Sequence, residues 1–316
     1  MWAYRLPEPR TLQRVNVPDN TAPLIAGQIR LSFRAAGLCG SDMPRFKGSG
    51  NRCGDDGYGL APVHELVGEV IESASPDIGT GQRVVGTLGR GAGLAEIVVT
   101  SASMFIPVRE DFDDVTAVVA QPLATVLRAC AKFPEVKGAR AAVIGVGPCG
   151  LAFCQILKHR GVAHLSAIDP VERAATAKSF GADQFFHMSS MQWLEVLDDG
   201  ARPDLVVEAV GHQQLTVRDA VSSAAKHGFV YGFGEPDDRD YNIPYEELYL
   251  KDLTLASGRT IERWPEVLRT GLDYLAEHRA DFAGYVSHIV PLADAQRAYR
   301  LYAEPQPGRL KIVLVP

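Results

Sequence analysis

Short apolar runs separated by turn residues occupy the first third of the chain. The runs lie at residues 29–35, 67–73, 83–86 and 95–100, and Gly-containing turns lie at 79–82 and 89–93. Apolar runs of this length, bounded by turn residues, are typical of β-strands. The pattern therefore predicts a β-rich unit at the start of the chain.

A different period begins at about residue 116, where Ala117, Val118, Leu123 and Leu127 recur at helical spacing. Strands and helices then alternate, with strands at 141–144, 165–168, 205–209 and 229–232 and helices at 151–159, 173–180 and 215–225. Two more helices, at 264–277 and 293–301, and a strand at 311–315 follow. Such alternation produces right-handed crossovers and a doubly wound parallel sheet, so the expected fold class is α/β.

One turn of the alternating region carries a glycine pattern. The first strand runs into a helix through the loop Gly145-Val146-Gly147-Pro148-Cys149-Gly150. In a dinucleotide-binding loop the first glycine allows the tight turn, the second lets a pyrophosphate reach the backbone, and the third lets helix and strand pack closely. Alone, the pattern could equally be an ordinary glycine turn; the strand before it and the helix after it favour the dinucleotide interpretation.

An acidic residue supports the same interpretation. Asp169 ends the next strand, 19 residues beyond Gly150, where a carboxylate can bind the adenosine ribose hydroxyls and repel a 2′-phosphate. NAD(H) is therefore favoured over NADP(H). Arg173 follows four residues later and is a candidate for contacting a phosphate, although a solvated position on the helix is the simpler interpretation.

Two later strand ends belong to the same edge of the predicted sheet. Val210 and Gly211 follow one strand, and Gly232 and Phe233 end the next. Because ligands of open α/β sheets bind at the carboxyl ends of the strands, these four residues are candidates for the walls of the nicotinamide site.

Composition and charge exclude several classes of protein. The chain has 316 residues, 46% of them hydrophobic and 22% charged, with a formal charge of −6, which is a globular composition with room for two domains. No cluster of Lys or Arg favours nucleic acid or an anionic membrane. No leader or long apolar segment is evident, so a cytoplasmic location is expected.

Cysteine usage limits the metal chemistry. The five cysteines are Cys39, Cys53, Cys130, Cys149 and Cys154; no two form a CxxC pair, so a disulfide framework and a four-cysteine zinc site are both disfavoured. Any metal site must combine ligand types. Cys39 with the dipeptide His64-Glu65 offers a thiolate, an imidazole and a carboxylate, a set that suits zinc with an open position. Taken singly, each residue is more often a buried thiol or a surface dipeptide.

The motifs together resemble a known family. The segments AGLCGSD, HELVGEV, GQRVVG, GLAEIVV, QPLATVLRA, VIGVGPCG, DLVVEAVG and PLADAQRAYRLYAEPQPGRLKIVL occur in the order found in zinc-dependent medium-chain dehydrogenases/reductases. The resemblance covers essentially the whole chain. It implies a GroES-like, β-rich catalytic domain formed by residues 1–120 and 256–316, with a Rossmann dinucleotide-binding domain at 121–255 inserted between them.

The resemblance also assigns roles. It implies that Cys39, His64 and Glu65 ligate a catalytic zinc, and that Gln121 stands where the family places a fourth group. A neutral amide is a weaker ligand than a thiolate, and a zinc site with one cysteine resembles the polyol and sugar dehydrogenase branch.

Two neighbours of Cys39 complete the implied site. Ser41 resembles the hydroxyl that passes the substrate proton towards the cofactor ribose; a turn serine that caps a helix is the alternative. Asp42 resembles the carboxylate that fixes the tautomer of His64, and a solvated surface acid is the alternative.

Three departures from the family pattern are evident. Val63 replaces the glycine before His-Glu, so the turn there must differ if that glycine needs a positive φ. Met43 and Pro44 stand where a relay histidine often occurs. The stretch between Val85 and Ala95 lacks the four cysteines of a structural-zinc lobe, so one catalytic zinc and no structural zinc are expected.

The leading hypothesis is a zinc-dependent, NAD(H)-linked dehydrogenase that oxidises a secondary hydroxyl of a polyol, sugar or cyclitol-like molecule, or reduces the ketone. The resemblance suggests a homodimer or homotetramer. Two alternatives remain: a zinc-free enone or quinone reductase of the same superfamily, and a non-catalytic dinucleotide-binding redox sensor.

Overall fold

The computed structural model describes residues 1–49, 61–89, 93–259 and 262–316. The strands there are β1 (Trp2–Glu8), β2 (Thr11–Asn16), β3 (Gln28–Gly37), β4 (Glu65–Ser73), β5 (Arg83–Thr87), β6 (Ile97–Ser101), β7 (Phe105–Pro107), β8 (Arg140–Ile144), β9 (His164–Asp169), β10 (Gln184–His187), β11 (Leu205–Glu208), β12 (Phe229–Gly232), β13 (Thr254–Ser257), β14 (Val286–Pro291) and β15 (Lys311–Val315). The helices are α1 (Met43–Lys47), α2 (Asp114–Val118), α3 (Ala120–Cys130), α4 (Pro148–His159), α5 (Ala174–Ser179), α6 (Ser190–Val196), α7 (Leu215–Ser223), α8 (Tyr245–Leu250), α9 (Trp264–Glu277) and α10 (Ala295–Ala303).

A seven-stranded sheet joins the beginning and the end of the chain. Its order is β14-β15-β3-β4-β5-β7, and β6 also pairs with β3. The contact between the two ends of the chain is antiparallel: Val313 and Leu314 of β15 face Gly37 and Ala36 of β3. The β-rich unit predicted from the first third of the chain therefore includes strands from its last tenth.

A six-stranded parallel sheet occupies the middle of the chain, in the order β10-β9-β8-β11-β12-β13. Its central strands β8, β9 and β11 are mostly apolar and are buried on both faces, as expected of parallel strands covered by helices. Counted within this sheet the order is 3-2-1-4-5-6, that of doubly wound dinucleotide-binding folds. The order reverses between β8 and β11, and their carboxyl ends frame the crevice where such folds bind ligands.

Several elements differ from the sequence predictions. The hairpin β1–β2 was not predicted; Pro7 interrupts the apolar run of β1, and its register shifts between Arg5 and Glu8. The predicted helix after residue 116 is two helices, α2 and α3. The strand β14, which contains His288, was not predicted. Among the described residues, no helix is long and apolar enough to cross a membrane.

An ion pair ties α4 to the parallel sheet. Lys158 Nζ lies 2.7 Å from Asp183 Oδ1, and the backbone N–H of Leu165, in β9, donates to Asp183 Oδ2 at 2.8 Å. Partial burial alone would raise the pKa of Asp183, but these hydrogen bonds outweigh it and hold the pKa below its usual value. The carboxylate therefore stabilises the fold only while it is ionised.

We expect Asp183→Asn to lower the free energy of unfolding by about 0.5–1 kcal/mol at pH 7, since the pair is partly exposed. A carboxyl whose folded pKa is depressed contributes stability above its unfolded pKa and loses it as the pH falls through the folded pKa. The difference from wild type should thus be full above about pH 4 and shrink below it, as measured by urea unfolding at a series of pH values. A constant difference at all pH values would contradict this, and the exposed Asp77→Asn is the control.

Candidate active site

Cys39 follows the end of β3 and begins a short 3-10 turn, Gly40–Asp42. The turn folds back on itself: the backbone N–H of Cys39 donates to Asp42 Oδ2 at 3.1 Å, and Ser41 Oγ donates to Cys39 Sγ at 3.4 Å. Ser41 is exposed and lies within the turn, so its alternative role as a helix cap is wrong; Cys39 holds that position. The turn presents the thiol and the hydroxyl side by side.

His64 precedes β4 and is held by Asp42. His64 Nδ1 lies 2.8 Å from Asp42 Oδ1, and the side chain of Asp42 is only 4% exposed, so the alternative of a solvated acid is wrong. Burial disfavours a charged imidazole, but Asp42 and then Cys39 outweigh it and raise the pKa of His64 well above its usual value. Asp42 orients the ring through Nδ1, and a cation bound at the other ring nitrogen would take the place of the proton there.

Glu65 is fully buried at the start of β4, and a lysine from the other end of the chain pairs with it. Lys311 Nζ donates to Glu65 Oε2 and, at 2.9 Å, to the carbonyl of Leu38, next to Cys39. Gly37 is opposite Glu65 in the strand register, and a Cβ there would overlap the Glu65 carboxylate. Burial lowers the pKa of Lys311, but Glu65 outweighs it and raises the pKa, so Lys311 is charged.

The three side chains form a candidate metal centre. One ligand atom each of Cys39, His64 and Glu65 lies within 4.8 Å of the others. Glu65 Oε1 is buried and lacks a hydrogen-bond partner among the described residues, which is costly unless a ligand satisfies it. A thiolate, an imidazole and a carboxylate oxygen are a donor set that suits Zn²⁺. Gln121 is buried in the first turn of α3. Cys53 lies outside the described residues.

The glycine loop has the geometry of a dinucleotide site. Gly145 has a φ of +85°, which glycine adopts without strain. A Cβ on Gly150 would overlap the carbonyl oxygen of Gly145, whereas a Cβ on Gly147 would meet no atom within 4 Å. The loop is therefore closed towards the protein and open on the side where a ligand would approach. Pro148 begins α4, so the free N–H groups of the first turn of this helix lie at the loop.

Asp169 lies beside this loop. Its Oδ2 accepts from the backbone N–H of Val146 at 2.9 Å, and its Oδ1 accepts from that of Val171 at 2.8 Å. Arg173 Nε is 3.8 Å from Asp169 Oδ2. Arg173 is only 5% exposed and donates to the carbonyl of Arg309 at 2.9 Å, so the simpler interpretation, a solvated helix residue, is wrong.

The turns after β11 and β12 lie against each other at the same sheet edge. Buried Glu208 accepts from the backbone N–H groups of Val210, at 3.0 Å, and Gly211, at 2.9 Å. A Cβ on Gly145 would contact the Val210 side chain, so this turn borders the glycine loop. Gly232 ends β12, and the next residue, Phe233, packs edge-on against Phe153 of α4, with ring centroids 4.9 Å apart. All four predicted wall residues thus lie at the carboxyl edge of the parallel sheet.

The glycine loop and the candidate metal centre adjoin each other. Burial first, and then the charge of Cys39, raise the pKa of the Cys149 thiol. Lys311 lowers this pKa and Glu65 raises it further, but both effects are smaller. Cys149 therefore stays a neutral thiol.

Lys311 and Glu208 are site residues that the sequence analysis missed. Lys311 begins β15 and Glu208 ends β11, and both strands are otherwise apolar and almost fully buried, so each charge needs a partner. A charged residue at the end of an apolar run was the signal available in the sequence. The sequence does not show which partner each charged residue contacts.

Comparisons with known proteins agree with this geometry. Residues 25–110 match the family "Alcohol dehydrogenase GroES-like domain", and residues 148–274 match "Zinc-binding dehydrogenase"; together they cover more than half of the chain. The galactitol 1-phosphate 5-dehydrogenase of Escherichia coli K12 is 25% identical over 96% of this chain and 97% of that protein.

Two further matches differ in coverage. An L-threonine 3-dehydrogenase of Bacillus velezensis is 28% identical, over 65% of this chain and 59% of that protein, so the match spans less than two thirds of that relative. The structure of the alcohol dehydrogenase TADH from Thermus sp. ATN1 superposes with a TM-score of 0.84 at 26% identity, covering 100% of both chains. On these matches the chain belongs to the zinc-binding medium-chain dehydrogenases, a family of oxidoreductases.

Proposed function

We propose that the protein is a zinc-dependent, NAD(H)-linked dehydrogenase acting on a secondary hydroxyl of a polyol, sugar or cyclitol-like molecule, or on the matching ketone. The observation that carries the proposal is the meeting of Cys39, His64 and Glu65 beside an open glycine loop. The names of the relatives, a galactitol-phosphate and a threonine dehydrogenase, favour a hydroxyl substrate.

Cys39, His64 and Glu65 would hold the zinc, with Gln121 as a fourth candidate. Bound zinc would lower the pKa of the substrate hydroxyl, which favours transfer of a hydride from the carbon bearing that hydroxyl to the nicotinamide. Asp42 keeps His64 oriented through its 2.8 Å contact with Nδ1. Ser41, exposed beside Cys39, would accept the substrate proton and pass it towards the cofactor ribose.

The cofactor would lie across the carboxyl edge of the parallel sheet. The N–H groups of the Gly145–Gly150 loop would hold its pyrophosphate, and Val210, Gly211, Gly232 and Phe233 would line the nicotinamide half. Each carboxylate oxygen of Asp169 accepts one backbone N–H, which leaves lone pairs for the ribose hydroxyls. Arg173 would add positive charge beside that carboxylate.

The proposal extends to the domains. The pairing of β15 with β3 supports a catalytic domain of residues 1–120 and 256–316, with the cofactor domain at 121–255 between them. A homodimer or homotetramer and a cytoplasmic location remain predictions.

The test is an assay of purified protein for zinc content and for NADH formation, followed at 340 nm, on a panel of polyols, sugars and cyclitols. We expect bound zinc and turnover with NAD on at least one of them. Absence of zinc with NADPH-dependent reduction of enones would instead support the reductase alternative. Tight NAD binding without turnover of any compound would support the sensor.

Two glycine substitutions separate folding from cofactor binding. Gly147→Ala places its Cβ in open space, so the unfolding temperature should stay close to that of wild type while NAD affinity falls about tenfold, the effect of one lost charge-assisted hydrogen bond. Gly150→Ala overlaps the Gly145 carbonyl and should cost about 2 kcal/mol or more of stability. Calorimetry with and without NAD measures both; equal loss of stability in the two variants would refute the assignment.

A further inference from the structure

A second cluster of metal-binding side chains lies where two helices end. His159 is the last residue of α4, His278 follows the last residue of α9, and Asp281 lies in the next 3-10 turn, Arg279–Phe282. One ligand atom from each lies within 4.8 Å of the others. His159 is at the far end of α4 from the glycine loop, about 17 Å along the helix axis, so this cluster is separate from the candidate active site.

The spacing of the cluster fits a metal better than direct hydrogen bonds. Asp281 Oδ2 is 3.4 Å from His159 Nε2 and 3.3 Å from His278 Nδ1, both longer than an ordinary N–H···O hydrogen bond. When metal–ligand distances are about 2.0–2.1 Å, neighbouring ligands of a tetrahedral metal are about 3.3 Å apart. The carboxylate oxygen is therefore spaced from both imidazoles as in a tetrahedral site.

His159 is oriented as a ligand. Its Nδ1 lies 2.6 Å from the hydroxyl of Tyr274, and the amide nitrogen of Gln155 lies 2.7 Å from its Nε2. Because the amide nitrogen of Gln155 donates, His159 Nε2 accepts with its lone pair. The ring proton is then on Nδ1, which donates it to the hydroxyl oxygen of Tyr274. Metal-binding histidines usually have such a partner on the second nitrogen. A metal would take the place of the Gln155 donor.

The surroundings favour a cation and leave it access. The C-terminal ends of α4 and α9 both lie at the cluster, and helix C-termini carry partial negative charge. The side chains of His159, His278 and Asp281 are 30%, 31% and 39% exposed, so an ion can enter from solvent.

We propose that His159, His278 and Asp281 form a second metal site, which binds one divalent transition-metal ion such as Zn²⁺, Co²⁺ or Ni²⁺, with water in the remaining position. Two imidazoles and a carboxylate suit these ions. The expectation of a single zinc came from the absence of a four-cysteine lobe, so it does not exclude a second site made of histidine and aspartate. The ion would join the end of α4 to the segment after α9.

The test is equilibrium dialysis of the full-length protein, already loaded with zinc, against Zn²⁺ or Co²⁺ alone, followed by elemental analysis. Wild type should take up one further ion per chain, and its unfolding temperature should rise with metal concentration. His159→Ala and His278→Ala should lose this ion and the temperature shift. Tyr274→Phe should weaken binding about 10–100-fold, the usual effect of losing such a partner.

The control is His227→Ala, which removes a surface histidine paired with one carboxylate, Asp252, at 3.1 Å. It should keep the second ion. Co²⁺ at the proposed site should show no thiolate charge-transfer absorption, because the site has no cysteine. Uptake that is unchanged in both His159→Ala and His278→Ala, or lost equally in His227→Ala, would overturn the proposal. Unfolding temperatures measured without added metal show that each variant is folded.

Discussion

Replacing Cys39 with alanine is expected to remove the active-site zinc and to lower turnover about a thousandfold or more. The thiolate is the one sulfur ligand in the cluster of Cys39, His64 and Glu65. Metal activation of a bound oxygen contributes several kcal/mol to catalysis, and each 1.36 kcal/mol is a factor of ten in rate. The measurements are zinc per chain and kcat with NAD and whichever polyol the panel identifies.

The matched control is Cys154→Ala. Cys154 is a buried cysteine within α4, so its removal should leave a small cavity and cost stability while zinc content stays at the wild-type value. Full zinc content in Cys39→Ala would show that the ligand set has been misassigned. Retained NAD binding in Cys39→Ala would show that the loss of activity comes from the metal and not from the fold.

Lys311→Met is expected to be the most destabilising substitution near the site. The lysine is 1% exposed and donates hydrogen bonds to both Glu65 and the Leu38 carbonyl. The change therefore leaves the buried Glu65 carboxylate without its cation. Breaking a buried ion pair by removing one partner costs about 3–5 kcal/mol. We expect that loss in the free energy of unfolding of zinc-free protein, measured with urea at neutral pH. The loss should shrink as the pH falls, because Glu65 can then take up a proton.

Zinc makes this variant informative about Glu65. If the unpartnered Oε1 of Glu65 faces the metal, a bound cation compensates for the missing ammonium group, and Lys311→Met should be less destabilised with zinc than without it. The control is Lys251→Met, which breaks a partly exposed pair with Glu247 and should cost about 0.5 kcal/mol. A small loss in zinc-free Lys311→Met, similar to that of the control, would contradict the account.

The parallel sheet was predictable because its signals are local. Each of β8, β9, β11 and β12 is a short apolar run bounded by turn residues, and both ends of each strand lie within one residue of the predicted bounds. The helix α9 matches its prediction to the residue. Besides the hairpin β1–β2, the strands β7, β10, β13 and β14 were missed, because polar residues or proline interrupt their short apolar runs.

The metal centre was less accessible to sequence reasoning. Cys39, His64 and Glu65 were selected because the whole motif order resembles a family, since each residue alone fits a plainer role. Lys311 was missed because its partner is 246 residues away in the chain. Val63 was expected to require a different turn if the family's glycine needs a positive φ, and Val63 is fully buried and is not among the described residues with positive φ.

Removal and return of zinc in the wild-type protein show whether catalysis depends on the metal. NADH formation from the active polyol is followed before dialysis against a chelator, after it, and after adding Zn²⁺ back. The account predicts that activity disappears with the metal and returns with about one zinc per chain at the Cys39 cluster. Undiminished turnover in protein shown to be zinc-free would contradict it.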